Sequence, residues 1–174
     1  MAKANNFNIG FTSDWVFQNS TDVPGYYWRR LESSRENFTM AAKEFERLIE
    51  MAAAPGRRQA EYMRDLCRIS ALHIQAVSHL QNAKLPLIGY KAWPENNPAA
   101  SWPPPEKLKD LVREAKRALV LEQRYMRTFA RWVKSCDEQG QLALHQQGVI
   151  EQFTRFAEML AAQLGEESLS NELS

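Results

Sequence analysis

Two ionisable residues stand where helical apolar spacing calls for a core residue. His73 interrupts the apolar series of one long segment, and Glu122 falls between Leu119 and Met126 in another. Each lies near the middle of its predicted helix, so antiparallel or crossing helices would bring the two together as a buried polar pair that fixes helix register. A buried carboxylate needs such a partner, because an unpaired one takes up a proton instead of staying charged. The alternative is two separate residues at the edges of their stripes, with Glu122 paired to a neighbouring arginine.

Basic residues recur at steps of three and four along the segment that contains Glu122, with Val120 as the one interruption. Residues with this spacing share one face of a helix. The face is either solvated, with long side chains lying over the edge of the core, or it binds an acidic partner, such as nucleic-acid phosphates or an acidic protein surface. The planar fork of arginine suits both phosphate and carboxylate. This basic row consists of Arg113, Arg117, Arg124, Arg127, Arg131 and Lys134.

The segment Arg68-Ile-Ser-Ala-Leu-His73 places an arginine and a histidine on either side of four residues. By this spacing it resembles the motif of the HEPN helical-bundle ribonucleases, although Ile69 stands where that family commonly has a polar residue. The resemblance implies that His73 would transfer protons and that Arg68 would steady a phosphate during RNA cleavage. Because the same spacing also arises by chance in helices, RNA cleavage is the most remote of the functions considered.

Other patterns that carry chemistry are missing from the sequence. Glu-x-x-His, which di-iron helical bundles use to hold metal, does not occur. Neither a glycine-rich phosphate loop nor a Gly-x-Ser-x-Gly turn is present. His145 is expected at a surface or edge position near the start of the last predicted helix. We therefore expect a non-enzymatic protein with no catalytic residue, no metal site, no cofactor and no small-molecule ligand.

Composition indicates one globular domain of ordinary size. The 174 residues are 44% hydrophobic and 25% charged, and the net charge of +1 neither demands nor excludes nucleic acid. No apolar run approaches the roughly 18 residues of a membrane span, and residues 1–10 lack the apolar centre of a signal peptide. A cytoplasmic location without a membrane partner is expected. Cys67 and Cys136 are predicted to be buried free thiols.

The apolar periodicity predicts an all-α four-helix bundle at residues 26–165, with helices at about 26–53, 57–85, 104–138 and 141–164. Pro55-Gly56 makes the first connection so short that the first two helices must be neighbours. Prolines 103–105 begin the third helix, and Gly140 follows its end. The serine-rich acidic tail, residues 166–174, is expected to fray.

Two segments rich in aromatic residues lie outside the predicted helices, one before the first helix and one between the second and third. Apolar and polar side chains alternate over residues 6–12, which predicts that residues 1–25 form an extended arm that either packs on its own bundle or serves in assembly. Residues 86–105 form a Pro/Trp-rich crossover between helices two and three, which is either packed along the bundle or exposed for binding. The candidate partner-binding residues of the arm and crossover are Phe7, Phe11, Trp15, Tyr90, Trp93 and Trp102.

These patterns favour a helical-bundle subunit or adaptor in a larger assembly. We expect it to bind a protein partner, or a second copy of itself, through the aromatic arm and crossover, and an acidic partner through the basic row. The alternative is a nucleic-acid-binding subunit that uses the arginines of the same row.

Overall fold

The computed structural model describes residues 25–90 and 101–165, and it confirms the all-α class. Helix α1 spans Gly25–Met51, α2 spans Ala54–Gly89 and α3 spans Pro105–Ala130. Helix α4 has three consecutive parts, an α-helical segment Cys136–His145, a π-helical turn Gln146–Ile150 and a second α-helical segment Glu151–Gln163. None of the described helices is long and apolar enough to cross a membrane. The predicted arm and tail, with Phe7, Phe11 and Trp15, lie outside the described residues, as does Trp93.

The helices pack in chain order, α1 on α2, α2 on α3, and α3 on α4. The main core is formed by the second half of α2 together with α3 and α4, and it includes Leu80, Leu119, Phe153 and Phe156. None of the α1 side chains that the structure describes belongs to this core, and Ala42 is the buried one among them. The described side chains of the core therefore come from three helices, while α1 lies against α2.

The predicted third helix is wrong at its C-terminal end, because α3 stops at Ala130 and not near residue 138. A capping box competes with its continuation: Ser135 Oγ accepts the Glu138 N–H, and the Glu138 carboxylate accepts the Ser135 N–H at 2.9 Å. A new helix therefore starts at Cys136, whose side chain is exposed and not buried as expected. Cys67 is buried as predicted.

The turn between α3 and α4 is fastened to α2 by Trp132. Its indole Nε1–H donates to Asp65 Oδ2 at 3.0 Å, and its ring meets Tyr62 edge to face at 5.3 Å between centroids. Asp65 is buried and also accepts a hydrogen bond from Arg64 Nε at 2.9 Å. These contacts fix the end of α3 against the first half of α2.

The crossover between α2 and α3 is closed at its base. Helix α2 continues through Pro86 to Gly89, further than the predicted end at residue 85. The Ser101 N–H and hydroxyl both donate to the Tyr90 carbonyl oxygen at 3.0 Å. Tyr90 and Trp102 are half-buried against the core, so both contribute to packing in this chain.

Candidate functional site: a basic groove and a buried histidine–glutamate cluster

The structure brings His73 and Glu122 together and adds His145 to them. His73 Nδ1 lies 2.6 Å from Glu122 Oε1, and His145 Nε2 lies 2.8 Å from Glu122 Oε2. Since a carboxylate accepts and does not donate, both facing imidazole nitrogens carry the hydrogen. Glu122 has no exposed surface, so one buried carboxylate joins α2, α3 and α4.

The imidazoles of this buried cluster are enclosed on their other sides. Tyr125 stacks on His145 with 4.2 Å between ring centroids and 16° between ring planes. The two imidazoles lie edge to face at 6.0 Å. His73 Nε2 and His145 Nδ1 are buried and have no hydrogen-bond partner among the described residues. The cluster therefore ties helices together and has no outer group through which to pass a proton.

The charge state of the buried cluster follows from its contacts. Burial acts to raise the pKa of the Glu122 carboxyl, but the electrostatic attraction of the two imidazoles and the hydrogen bonds that both donate outweigh burial and hold that pKa below its ordinary value. Burial and the neighbouring Glu122 charge raise the pKa of Tyr125. Glu122 is thus ionised near neutral pH, and Tyr125 keeps its proton.

His145 was expected at a surface or edge position, and this expectation is wrong. The residue is buried, with 4% of its surface exposed. It precedes Val149 by four residues and Phe153 by eight, so helical spacing alone places it on the core face of α4. This spacing in the sequence could have identified His145 as a core residue, with Glu122 as its buried partner.

The two residues of the HEPN-like spacing do not share a site. Arg68 is exposed and forms an ion pair with Glu46 of α1. His73 is buried and already bonded to Glu122. A ribonuclease of that kind needs its histidine within reach of RNA, so this geometry offers it no support.

The basic row divides into a paired and an unpaired half. Arg113 forms an ion pair with Asp110 at 2.6 Å, and Arg117 forms one with Glu114 at 2.8 Å. The next three arginines, two on α3 and one directly after its last residue, are exposed and have no ion pair among the described residues. Lys134 lies beyond the end of α3, in the turn before α4. The unpaired half of the row consists of Arg124, Arg127 and Arg131.

A long groove follows the basic row. Its wider part, about 870 Å³, lies between α1, α2 and α3, and Arg124, Arg127 and Arg131 are on its α3 wall. Its narrower part, about 550 Å³, lies between α2 and α3 and is lined by Arg113 and Arg117. Arg124 and one residue of α2, Gln75, line both parts. The two parts therefore join into one basic groove.

The lining of the basic groove is basic and apolar but not aromatic. Ala42, Ala71 and Leu72 line the wider part, and neither part is lined by a described Phe, Tyr or Trp. Two carboxylates also lie there, but Glu46 is paired with Arg68, and Asp65 is buried and bonded to Arg64 and Trp132. Uncompensated charge in the wider part is positive.

The described residues contain no group of His, Cys, Asp or Glu side chains arranged to hold a metal ion. Comparison with models of protein families, with curated proteins and with solved structures finds no match to this chain.

Proposed function

We propose that this chain is a non-enzymatic helical subunit or adaptor that binds an acidic partner in the basic groove. The observation that supports it most strongly is the unpaired half of the basic row, Arg124, Arg127 and Arg131. They follow one another along one side of α3 and its C-terminal end, are exposed, and form no ion pair among the described residues. A solvated face of ordinary kind would carry compensating acids, as the first half of the same row does.

The unpaired arginines repel one another. Arg127 lies three residues after Arg124 and four before Arg131, which are the spacings at which helical side chains are neighbours. Like charges at these positions cost about 0.2–0.5 kcal/mol per pair. The carboxylate closest in sequence, Glu122, points into the core and is used by the histidines. A bound acidic partner would turn this repulsion into attraction.

Binding of a fluorescent poly-L-glutamate peptide of about 20 residues, followed by anisotropy across a salt series, tests this proposal. The full chain should bind, and Arg124→Ala/Arg127→Ala/Arg131→Ala should weaken binding about tenfold or more. The matched control removes two paired arginines, Arg113→Ala/Arg117→Ala, and should have a smaller effect. Equal binding by the wild type and the triple variant would refute the proposal.

Nucleic acid is the second candidate partner, favoured by the excess of arginine over lysine at the groove. If a duplex oligonucleotide binds more tightly than the acidic peptide, with a steep salt dependence that is lost in the triple arginine variant, the partner is nucleic acid.

Self-association would use a different segment, the extended arm predicted from the sequence. Removal of residues 1–17 should lower the mass of any complex measured by light scattering.

A further inference from the structure

We infer that the basic groove binds an acidic amphipathic α-helix of a partner protein, laid lengthwise between α2 and α3. This inference rests on the proposed function and adds two requirements, the shape of the ligand and an apolar stripe on it. Both requirements come from the form and the lining of the groove.

The groove has the length and the walls that a helix requires. On α3 its lining runs from Lys109 to Arg131, which at 1.5 Å per residue is about 33 Å, or some six turns. On α2 the wall is made by Arg68, Leu72, Gln75 and His79, at steps of four, three and four. Such steps form a ridge, and the furrow between two helical ridges accepts the ridge of a third helix.

The apolar residues along the groove explain the one interruption of the basic row. Val120 stands where the spacing calls for another arginine, and it is 38% exposed and lines the narrower part of the groove. Leu72 and Ala71 take the equivalent place in the wider part. A ligand with apolar side chains on one stripe and carboxylates beside it would cover Val120 and Leu72 while it pairs with the arginines.

The same lining disfavours a nucleic acid. Single strands gain much of their binding energy by stacking bases on aromatic rings, and no described Phe, Tyr or Trp lines the groove. A duplex would present phosphates to the arginines but would leave Val120 and Leu72 facing charged oxygens. The geometry therefore favours a protein helix.

Two tryptophan variants separate the shape requirement from the charge requirement. Gln75 is exposed, uncharged and shared by both parts of the groove, so a bulky side chain there obstructs a helix without altering charge. Gln75→Trp provides the obstruction. Gln163→Trp is the matched control, because it adds the same side chain at an exposed residue of α4 that does not line the groove. Neither change removes a residue of the core.

Three ligands are compared. The first is a designed 22-residue amphipathic peptide with leucines on one helix face and glutamates beside them. The second is a peptide of the same composition in scrambled order, and the third is poly-L-glutamate. With the full chain, the designed peptide should bind at least about tenfold more tightly than the scrambled one and should gain helicity by circular dichroism. Gln75→Trp should weaken binding of the designed peptide about tenfold, whereas Gln163→Trp should leave it within about twofold of the wild type. Neither change should alter the binding of poly-L-glutamate by more than about twofold.

The outcomes distinguish the two proposals. If designed and scrambled peptides bind equally, or Gln75→Trp has no effect, the helix inference is overturned while arginine-dependent binding of poly-L-glutamate still supports the proposed function. If no acidic ligand depends on Arg124, Arg127 and Arg131, both fail. Tighter binding of a duplex oligonucleotide than of the designed peptide overturns the protein-helix inference in favour of nucleic acid.

Discussion

Glu122→Leu should destabilise the protein by about 4 kcal/mol, because it removes the acceptor of two buried imidazole N–H groups. Each unpaired buried donor costs about 1–3 kcal/mol, so two of them cost about 2–6 kcal/mol. A change of tautomer does not relieve this cost, since His73 Nε2 and His145 Nδ1 also lack partners among the described residues. Leucine is close to glutamate in volume, so little of the effect comes from a cavity.

Urea unfolding followed by circular dichroism measures this loss, which in a chain of this size corresponds to a fall in Tm of about 8–16 °C. The control is the triple variant His73→Leu/Glu122→Leu/His145→Leu, which leaves no buried imidazole and should recover most of the stability. A loss below about 1 kcal/mol for Glu122→Leu, or a triple variant no more stable than the single one, would refute the reasoning.

Three further predictions concern the stability that the contacts between and at the ends of the helices provide. Because the pKa of Glu122 in the folded protein is below its ordinary value of 4.5, the stabilisation by this carboxylate is complete above pH 4.5 and is lost as the pH falls through the folded pKa. The difference in unfolding free energy between the wild type and Glu122→Gln should therefore shrink as the pH falls below 4.5 and through the folded pKa of Glu122, and a constant difference would contradict this expectation. Trp132→Phe should cost about 1–3 kcal/mol in urea unfolding, because Asp65 Oδ2 loses its indole donor, whereas Tyr62→Phe should cost less than half as much. Ser135→Ala should cost about 1 kcal/mol through loss of the capping box, and an unchanged Tm would show that the cap does not set the start of α4.

The positions of the helices could be predicted from the sequence more accurately than the residues at which they end. Apolar spacing predicted α1 to α4 because packing against a neighbouring helix imposes a helical period on each of them. It failed at the end of α3, where apolar residues continue in register to Val133 and Cys136. Local chemistry decided the boundary instead, through the box between Ser135 and Glu138. The Ser-x-x-Glu pattern of this capping box is visible in the sequence and indicates a helix start at this position.

The candidate site was predictable in parts. The interruptions at His73 and Glu122 indicated a buried pair, because a polar residue inside an apolar stripe needs a partner. Arg117 of the basic row has its carboxylate, Glu114, on its own helix, which local spacing can indicate. Glu46 lies in the groove but is paired with Arg68 of α2, and this contact between helices is not visible in local spacing. The wider part of the groove arises from where α1 lies against α2, and such a placement has no signature in local spacing.

The π-helical turn of α4 bears on how this chain tolerates insertions and deletions. The Glu151 N–H donates to the Gln146 carbonyl oxygen, five residues back, so one turn of helix holds one residue more than a regular turn. Loss of a residue between this turn and Phe153 would rotate the later part of α4 by about 100° and would turn Phe153 out of the core. Loss of Gln147 would instead convert the turn to regular α-helix and leave both faces in phase. We therefore expect α4 to tolerate the loss of one residue in this turn, between its contact with the buried carboxylate and its contact with the core.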